Sequence, residues 1–403
     1  MEPFTSTPGR RSAPVDSLPR PDADALAHSR RLIETIRREM EGHGGALAFD
    51  RFMELALYAP GLGYYMAGSR KLGVEGDFVT APEISPLFGQ CLARQCAQVL
   101  DGLQGGDILE FGAGSGALVG VILEELTRLQ CLPRRYLILE PSPELRQRQQ
   151  QLIEGLAPGL VARVQWLDRL PERLRGVTIA NEVLDAMPVH RFVVRDGAVQ
   201  ELFVRWSGSG FEEFAAPPES AGLAAAVQRL TVGGMQLGDG YLSEINLRAG
   251  PWIAALGRML EAGVALLIDY GYPRREYYLP ERTMGTLMCH YRHRAHPDPY
   301  RFVGLQDITA YVDFSAVAEA GGGAGMSLGG YTSQANFLLA CGLEELLADS
   351  DPADVEAHMQ RVQGAKRLIL PSEMGERFQV MALARDFAAP LLGFSLRDLR
   401  GRL

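Results

Sequence analysis

Apolar positions change period twice along the chain. Between residues 24 and 40 they recur at Leu26, Leu32, Ile33 and Ile36, the spacing of one helix face. Residues 49–58 (FDRFMELALY) predict a second helix, stopped by Pro60 and Gly61. The next stretch, GLGYYMAGSRKLGVEGDFVTAPEIS, holds neither period, and its glycine and aromatic residues predict an ordered loop. From residue 107 short apolar runs alternate with helix-period segments. Strands are predicted at 107–111, 135–140, 164–168 and 177–182, and helices at 117–129 and 143–156. This alternation predicts an α/β fold: a parallel sheet covered on both faces, wound right-handed, with ligands at the carboxyl ends of its strands.

Past residue 189 the pattern turns to a hairpin, 190–195 and 199–206, around the turn dipeptide Asp196-Gly197. Residues 207–250, with a Gly/Pro-rich stretch and one short Ala-rich helix, read as an insertion. A helix at 251–260 and a strand at 264–270 resume the alternation. Helices near 313–320, 333–341 and 352–368 and a strand at 378–384 follow. The predicted division is a tail at 1–23, a helical cover and pocket loop at 24–106, a ligand-binding core at 107–206 and the insertion at 207–250. Residues 251–403 then hold the remainder of the core with C-terminal cap elements.

Composition narrows the function. Forty Lys and Arg against 49 Asp and Glu give a net charge of −9, which argues against a nucleic-acid partner. A hydrophobic fraction of 47% with 22% charged residues is that of a globular protein. Five scattered cysteines without a CxxC pair do not make a disulfide framework. No apolar run approaches the roughly 18–20 residues that a membrane span needs. The first 21 residues lack the apolar core of a secretory signal, and Glu2, Asp16, Asp22 and Asp24 speak against a transit peptide. A cytoplasmic placement is expected.

The candidate chemistry sits at three strand ends. Glu110-Phe-Gly112-Ala-Gly114-Ser-Gly116 lies between a predicted strand and a helix, where glycines permit a tight turn and a ligand meets free helix N–H groups. Gly112-x-Gly114-x-x-Ala117 also fits a dinucleotide fingerprint. Glu110 favours a nucleoside with a cationic amino-acid tail, because an acid at the loop edge repels pyrophosphate. Glu140 ends the next strand, placed to accept from ribose hydroxyls. Asn181, Glu182 and Asp185 follow the fourth strand and should line the pocket rim.

Taken together, GLGYY, GDFVTAPEISPLFGQ, ILEFGAGSG, ILEPSPELRQRQ, ANEVLDAMPVHRF, LLIDYG and DITAYVDFS resemble the MidA-like methyltransferases over roughly residues 25–390. That family includes the mitochondrial complex I assembly-factor arginine methyltransferase. The resemblance implies a Rossmann-like class I methyltransferase sheet with N-terminal helices and an inserted α+β cap. The implied cofactor is S-adenosyl-L-methionine, and the implied acceptor an arginine in a protein, with a respiratory complex I subunit as candidate.

Carried over by position, Gly112, Gly114 and Gly116 would hold the methionine part beside Glu110, and Glu140 the ribose. Trp166 and Asp168 would stand at the adenine, Trp166 fitting a core position equally well. The loop 76–85 would fold over the pocket with Asp77, Thr80 and Glu83 facing it, and Asn181 would join the cofactor wall. Where the family leads one to expect a histidine before VDF, Tyr311 stands, so no imidazole role is carried over. Guanidinium stays protonated at neutral pH, and acids matching its fork would orient one nitrogen and accept charge during transfer. Glu182, Asp185 and Glu83 are the candidates, with Glu182 and Asp185 preferred. His290, His293 and His296 beside the unpaired Cys289 are not expected to bind metal. Two rival readings are a dinucleotide oxidoreductase and a catalytically silent assembly factor; homodimerisation is left open.

Overall fold

The computed structural model describes residues 18–67, 80–349 and 354–403. Its centre is an eight-stranded sheet, labelled here in chain order: β1 (Asp107–Phe111), β2 (Tyr136–Leu139), β3 (Val164–Leu167), β4 (Leu174–Asn181), β5 (Leu260–Tyr272), β6 (Val312–Asp313), β7 (Ser327–Ser333) and β8 (Phe378–Arg385). The order across the sheet is β7-β8-β5-β4-β1-β2-β3, with β6 pairing the far end of β5. Strands β1 to β5 pair in parallel, and β8 runs antiparallel to both β5 and β7. The chain therefore moves outward from β1 to β3, then returns to the other side of β1 through β4. A crevice opens at such a reversal, beyond the carboxyl ends of β1 and β4.

Both faces of this sheet are buried, as the continuous apolar runs require. Ile108, Ile138, Val177, Ile179, Val264, Leu266 and Val380 face a core shared with the helices Pro86–Gly102 and Ala117–Arg128. Their neighbours Leu109, Leu137, Ala180, Ala265, Leu267 and Met381 face the helices Ala249–Met259 and Phe314–Gly323. The helix Pro143–Ile153 begins with Pro143 after Ser142, whose side chain accepts from the Leu145 N–H.

A second sheet takes five antiparallel strands from two distant parts of the chain. Ala46–Ala48 pairs with Ala198–Trp206, which pairs in turn with His190–Arg195 and Phe211–Ala216; Leu242–Ile245 closes the other edge. The hairpin turns at Asp196 and Gly197, both with positive φ, as the primed turn of a two-residue loop needs. This corrects the expected division. The hairpin does not continue the 107–206 core, and the strands within 207–250 belong with it rather than to a separate insertion. The helices Ala23–Gly42 and Phe49–Tyr58 pack on this sheet through Leu32, Ile36, Phe49, Phe52, Val204 and Phe211, while Pro86–Gly102 joins the central core. The hydrophobic pattern gave no signal for β7 or for a small sheet of Met288–Tyr291, Arg294–His296 and Asp307–Thr309. Among the described residues no helix is long and apolar enough to cross a membrane.

Close backbone approach fixes one position in the central sheet. Gly176 in β4 has φ +144°, and a Cβ there would lie 1.9 Å from the Asp107 carbonyl oxygen of β1. Gly176→Ala should therefore force the two central strands apart and destabilise the protein by about 3 kcal/mol or more, read as a lower midpoint in chemical denaturation.

Candidate active site

The crevice beyond β1 and β4 is a cavity of about 1520 Å³ that continues from the glycine loop to the aromatic residues around Tyr58, Tyr65 and Tyr270. At one end Gly112, Gly114 and Gly116 have φ of +60°, +56° and +89°, a run that residues with side chains rarely adopt. Gly112 N–H donates to the Leu139 carbonyl, and Gly116 is the N-cap of the helix Ala117–Arg128. The loop thus exposes its backbone to the cavity and places a helix N-terminus beside it.

Glu110 and Glu140 line this end. Tyr136 O–H donates to Glu110 at 2.6 Å, while burial pushes the carboxyl up to about 7. Glu140 is 3% exposed and accepts from the Ser142 N–H at 3.0 Å and the Gln149 amide at 3.1 Å. Burial raises its pKa against the opposing pull of these donors. The same Gln149 amide nitrogen also donates to the Gly114 carbonyl at 3.0 Å, and its oxygen accepts from Trp166 Nε1 at 2.8 Å. One buried amide therefore ties the glycine loop, Glu140 and β3 together.

That arrangement relocates Trp166. It does not line the cavity but packs against the core and acts on the site through Gln149. Asp168 does line the cavity, exposed and paired with Arg146 at 2.7 Å. Arg146 also donates to the carbonyls of Glu140 and Leu167, both at 2.6 Å, and so staples the ends of β2 and β3.

The other end of the crevice gathers acids. Glu182 has φ +53°, receives the Asn181 amide at 3.1 Å and accepts from the Ala81 N–H. Burial, followed by the charge of Asp185, pushes it up to about 8. Asp185 is 4% exposed and pushed up to about 6 by burial. Tyr270 O–H donates to one of its oxygens; the other, Oδ1, is buried without a hydrogen-bond partner among the described residues, as is Asn181 Oδ1. Asp269, at the end of β5, accepts from the Leu184 and Asp185 N–H groups at 3.0 and 3.1 Å and from the Tyr270 N–H at 2.9 Å. Asp307 receives Tyr65 O–H at 2.8 Å, and the Tyr58 and Tyr65 rings stack with centroids 5.5 Å apart. Tyr311, in the position where a histidine was expected, also lines the cavity, its ring 5.3 Å from that of Tyr270.

Glu83 is placed differently from Glu182 and Asp185. It lines the cavity, but Ser115 O–H of the glycine loop donates to its carboxylate, so its contact is with the loop. Thr80 lines the cavity as N-cap of the short helix Ala81–Ile84, and Asp77 lies outside the described residues. Sequence reasoning missed Asp269, Tyr270, Asp307, Tyr58, Tyr65 and Gln149. The first two end the strand predicted at 264–270, so the rule that ligands sit at carboxyl strand ends could have found them. The others reach the site only through tertiary packing.

Raised carboxyl pKa values set a sign for stability. Glu110, Asp185 and Glu182 hold protons more tightly folded than unfolded, so the native state carries more bound protons between about pH 4.5 and 8. The thermal midpoint of the ligand-free protein should fall as pH rises through that window, and scanning calorimetry of the wild type and Glu182→Gln checks it: the slope should flatten in the variant.

Three comparisons place the chain among known proteins. Residues 91–332 match the family model described as "Putative S-adenosyl-L-methionine-dependent methyltransferase". A crystal structure from Burkholderia thailandensis bound to S-adenosyl-homocysteine is 45% identical, covering 96% of this chain and 100% of that one at a TM-score of 0.92. Protein arginine methyltransferase NDUFAF7, mitochondrial, is 29% identical in Danio rerio, over 84% of this chain and 83% of that protein. The human protein of the same name is also 29% identical, over 84% and 80%. These mitochondrial relatives correct the cytoplasmic placement. Scattered thiols without a disulfide framework do not choose among the compartments that keep thiols reduced. Gln149→Leu, which removes a donor from a buried carboxylate, should weaken S-adenosyl-homocysteine binding about tenfold by titration calorimetry. With its Rossmann-like sheet and glycine-lined crevice, the chain belongs to this family of S-adenosyl-L-methionine-dependent methyltransferases, and S-adenosyl-L-methionine is its cofactor.

Proposed function

We propose that this chain methylates an arginine side chain of a protein substrate. The observation that supports this acceptor is the acidic, tyrosine-walled end of the crevice, where Asp185 Oδ1 is buried and has no hydrogen-bond partner among the described residues. A buried acceptor without a donor is costly. A guanidinium brings five N–H donors, a positive charge and a plane that lies against aromatic rings, and so answers all three features of the wall. The relatives named as protein arginine methyltransferases support the same acceptor. The complex I subunit implied by the family resemblance is the first candidate to test.

The residues at the glycine end fit the cofactor. An open turn of positive φ, a helix N-terminus and the paired oxygens of Glu140 suit an amino-acid tail and a ribose. In this reading Gly112, Gly114 and Gly116 receive the tail beside Glu110, Glu140 takes the ribose hydroxyls, and Asp168, Asn181 and Thr80 complete the wall. Glu83 holds the loop through Ser115. When bound, the cofactor supplies a methyl group on a cationic sulfur, open to in-line displacement.

The chain's own work is then to orient and to deprotonate. Glu182 and Asp185 hold the guanidinium in its fork geometry, so that one nitrogen faces the glycine end. Methylation at that nitrogen releases one proton, and Asp185 receives it at Oδ1. Only the ionised carboxylate can do so. Asp185→Asn and Glu182→Gln should each keep cofactor affinity while lowering transfer at least ~100-fold. The wild-type kcat/KM should climb with pH between about 6 and 8, where burial has put the Asp185 and Glu182 carboxyls. Mass spectrometry of methylated arginines in cells with and without the gene, repeated with each variant, reads the outcome. A lost methyl group on any other residue type would overturn the acceptor.

A further inference from the structure

Asp269 and Tyr270 are adjacent in sequence at the end of β5, and they grip the same short segment in two different ways. Asp269 is 1% exposed, and among the described residues its hydrogen bonds go to backbone. Its Oδ2 accepts from the Leu184 and Asp185 N–H groups at 3.0 and 3.1 Å, and its Oδ1 from the Tyr270 N–H at 2.9 Å. This carboxylate holds the turn after β4 against the end of β5. Tyr270 then reaches the side chain of that turn: its O–H donates to Asp185 Oδ2. The ring is fixed by edge contacts with Tyr311 and Phe378 at 5.3 and 5.2 Å. From the far side the Asp185 carbonyl accepts from the Ala310 N–H at 3.0 Å. Backbone and one carboxylate oxygen of Asp185 are thus committed, and Oδ1 has no hydrogen-bond partner among the described residues.

We propose that Tyr270 and Asp269 are positioning residues for methyl transfer: Asp269 fixes the turn that carries Asp185, and the Tyr270 phenol fixes its carboxylate so that Oδ1 faces the acceptor. The inference rests on the reading of Asp185 as the acceptor-side base. It adds a division of labour among carboxylates that the sequence motif leaves equivalent. Asp269 never meets the substrate, because its oxygens are spent on three N–H groups. Asp185 does, because one of its oxygens is not. Tyr270 sets both the direction of Asp185 and its basicity, since a donor to the ionised form favours that form. The groups that face Asp185 are Glu182 on its own turn, Asp269 and Tyr270 on β5, Asp307 on the strand Asp307–Thr309, and Tyr58 and Tyr65 from the segment around the helix Phe49–Tyr58. Burial opposes ionisation of Asp185; the Tyr270 phenol, first, and then the backbone N–H groups of Ala186 and of Asp185 itself favour it, and Tyr270 is the side chain that donates to it.

Tyr270→Phe keeps the ring and removes only the donor. Carbon-13 NMR of labelled aspartate carboxyls, with the Asp185 signal assigned from Asp185→Asn, gives its titration midpoint directly. The midpoint should rise by about one pH unit in Tyr270→Phe. An unchanged midpoint overturns the proposal, whether or not an acceptor has been found. In transfer assays the acid limb of kcat/KM should move up by the same amount, with S-adenosyl-homocysteine affinity unchanged. Asp269→Asn must set an amide NH2 against at least one backbone N–H, so kcat should fall with little change in cofactor affinity. Equal loss of cofactor binding in both variants would mark a merely structural role and overturn the assignment. Wild-type enzyme that methylates no arginine would instead remove the functional reading and leave the Asp185 midpoint to decide the clamp.

Discussion

Carboxylates buried beside one another at the ends of parallel strands are the constraint around which this protein is organised. Burial raises Glu110, Glu182 and Asp185, and the fold answers with directed donors: a tyrosine for Glu110, backbone N–H groups for Asp269, another tyrosine for Asp185. The donors come from β2, β5 and the turn after β4, so the acids hold strands and a turn in register. Removing a donor would leave a buried acid short of a partner, which costs more than the bond itself contributes. The site and the packing around it are therefore one problem rather than two.

The reversal of strand order between β1 and β4 decides where those acids meet. A parallel strand points its last residue at the same rim as its neighbours, so Phe111, Leu139, Asn181 and the end of β5 all deliver side chains there. The glycine loop occupies the rim on one side of the reversal and the acid group the other. A cationic sulfur compound and a cationic side chain are both drawn to such a rim, and the aromatic wall of Tyr58, Tyr65 and Tyr270 separates that attraction from bulk water.

Much of this was legible in the sequence because period and chemistry coincide there. Runs such as DILEF and VALLIDY are short, apolar and flanked by helix-period segments, and the glycines at 112, 114 and 116 stand where the turn needs positive φ. Glu140, Glu182 and Asp185 could be found because each ends or follows a predicted strand. What stayed hidden depends on contacts between distant residues. Ser327–Ser333 is a glycine-containing strand without alternation, and its pairing with β8 alone defines it. Trp166 lies within the third strand, and nothing in its sequence neighbours reveals its contact with Gln149. The hairpin at 190–206 was legible as a hairpin, yet its sheet was not, since that requires pairing with residues 46–48.

That last pairing bears on how the protein is made. Leu47 meets Val204, so the first strand of the second sheet emerges from the ribosome long before its partner, with half of the central sheet synthesised between them. The helices Ala23–Gly42 and Phe49–Tyr58 must wait with their apolar faces uncovered until the hairpin arrives. Tyr58 belongs to the second of these helices, and its hydroxyl reaches the Ala186 carbonyl only after β4 is complete. The tyrosine wall of the crevice is thus closed by a segment synthesised early and docked late. In the order of synthesis the glycine end of the crevice is complete before the end walled by Tyr58 can form.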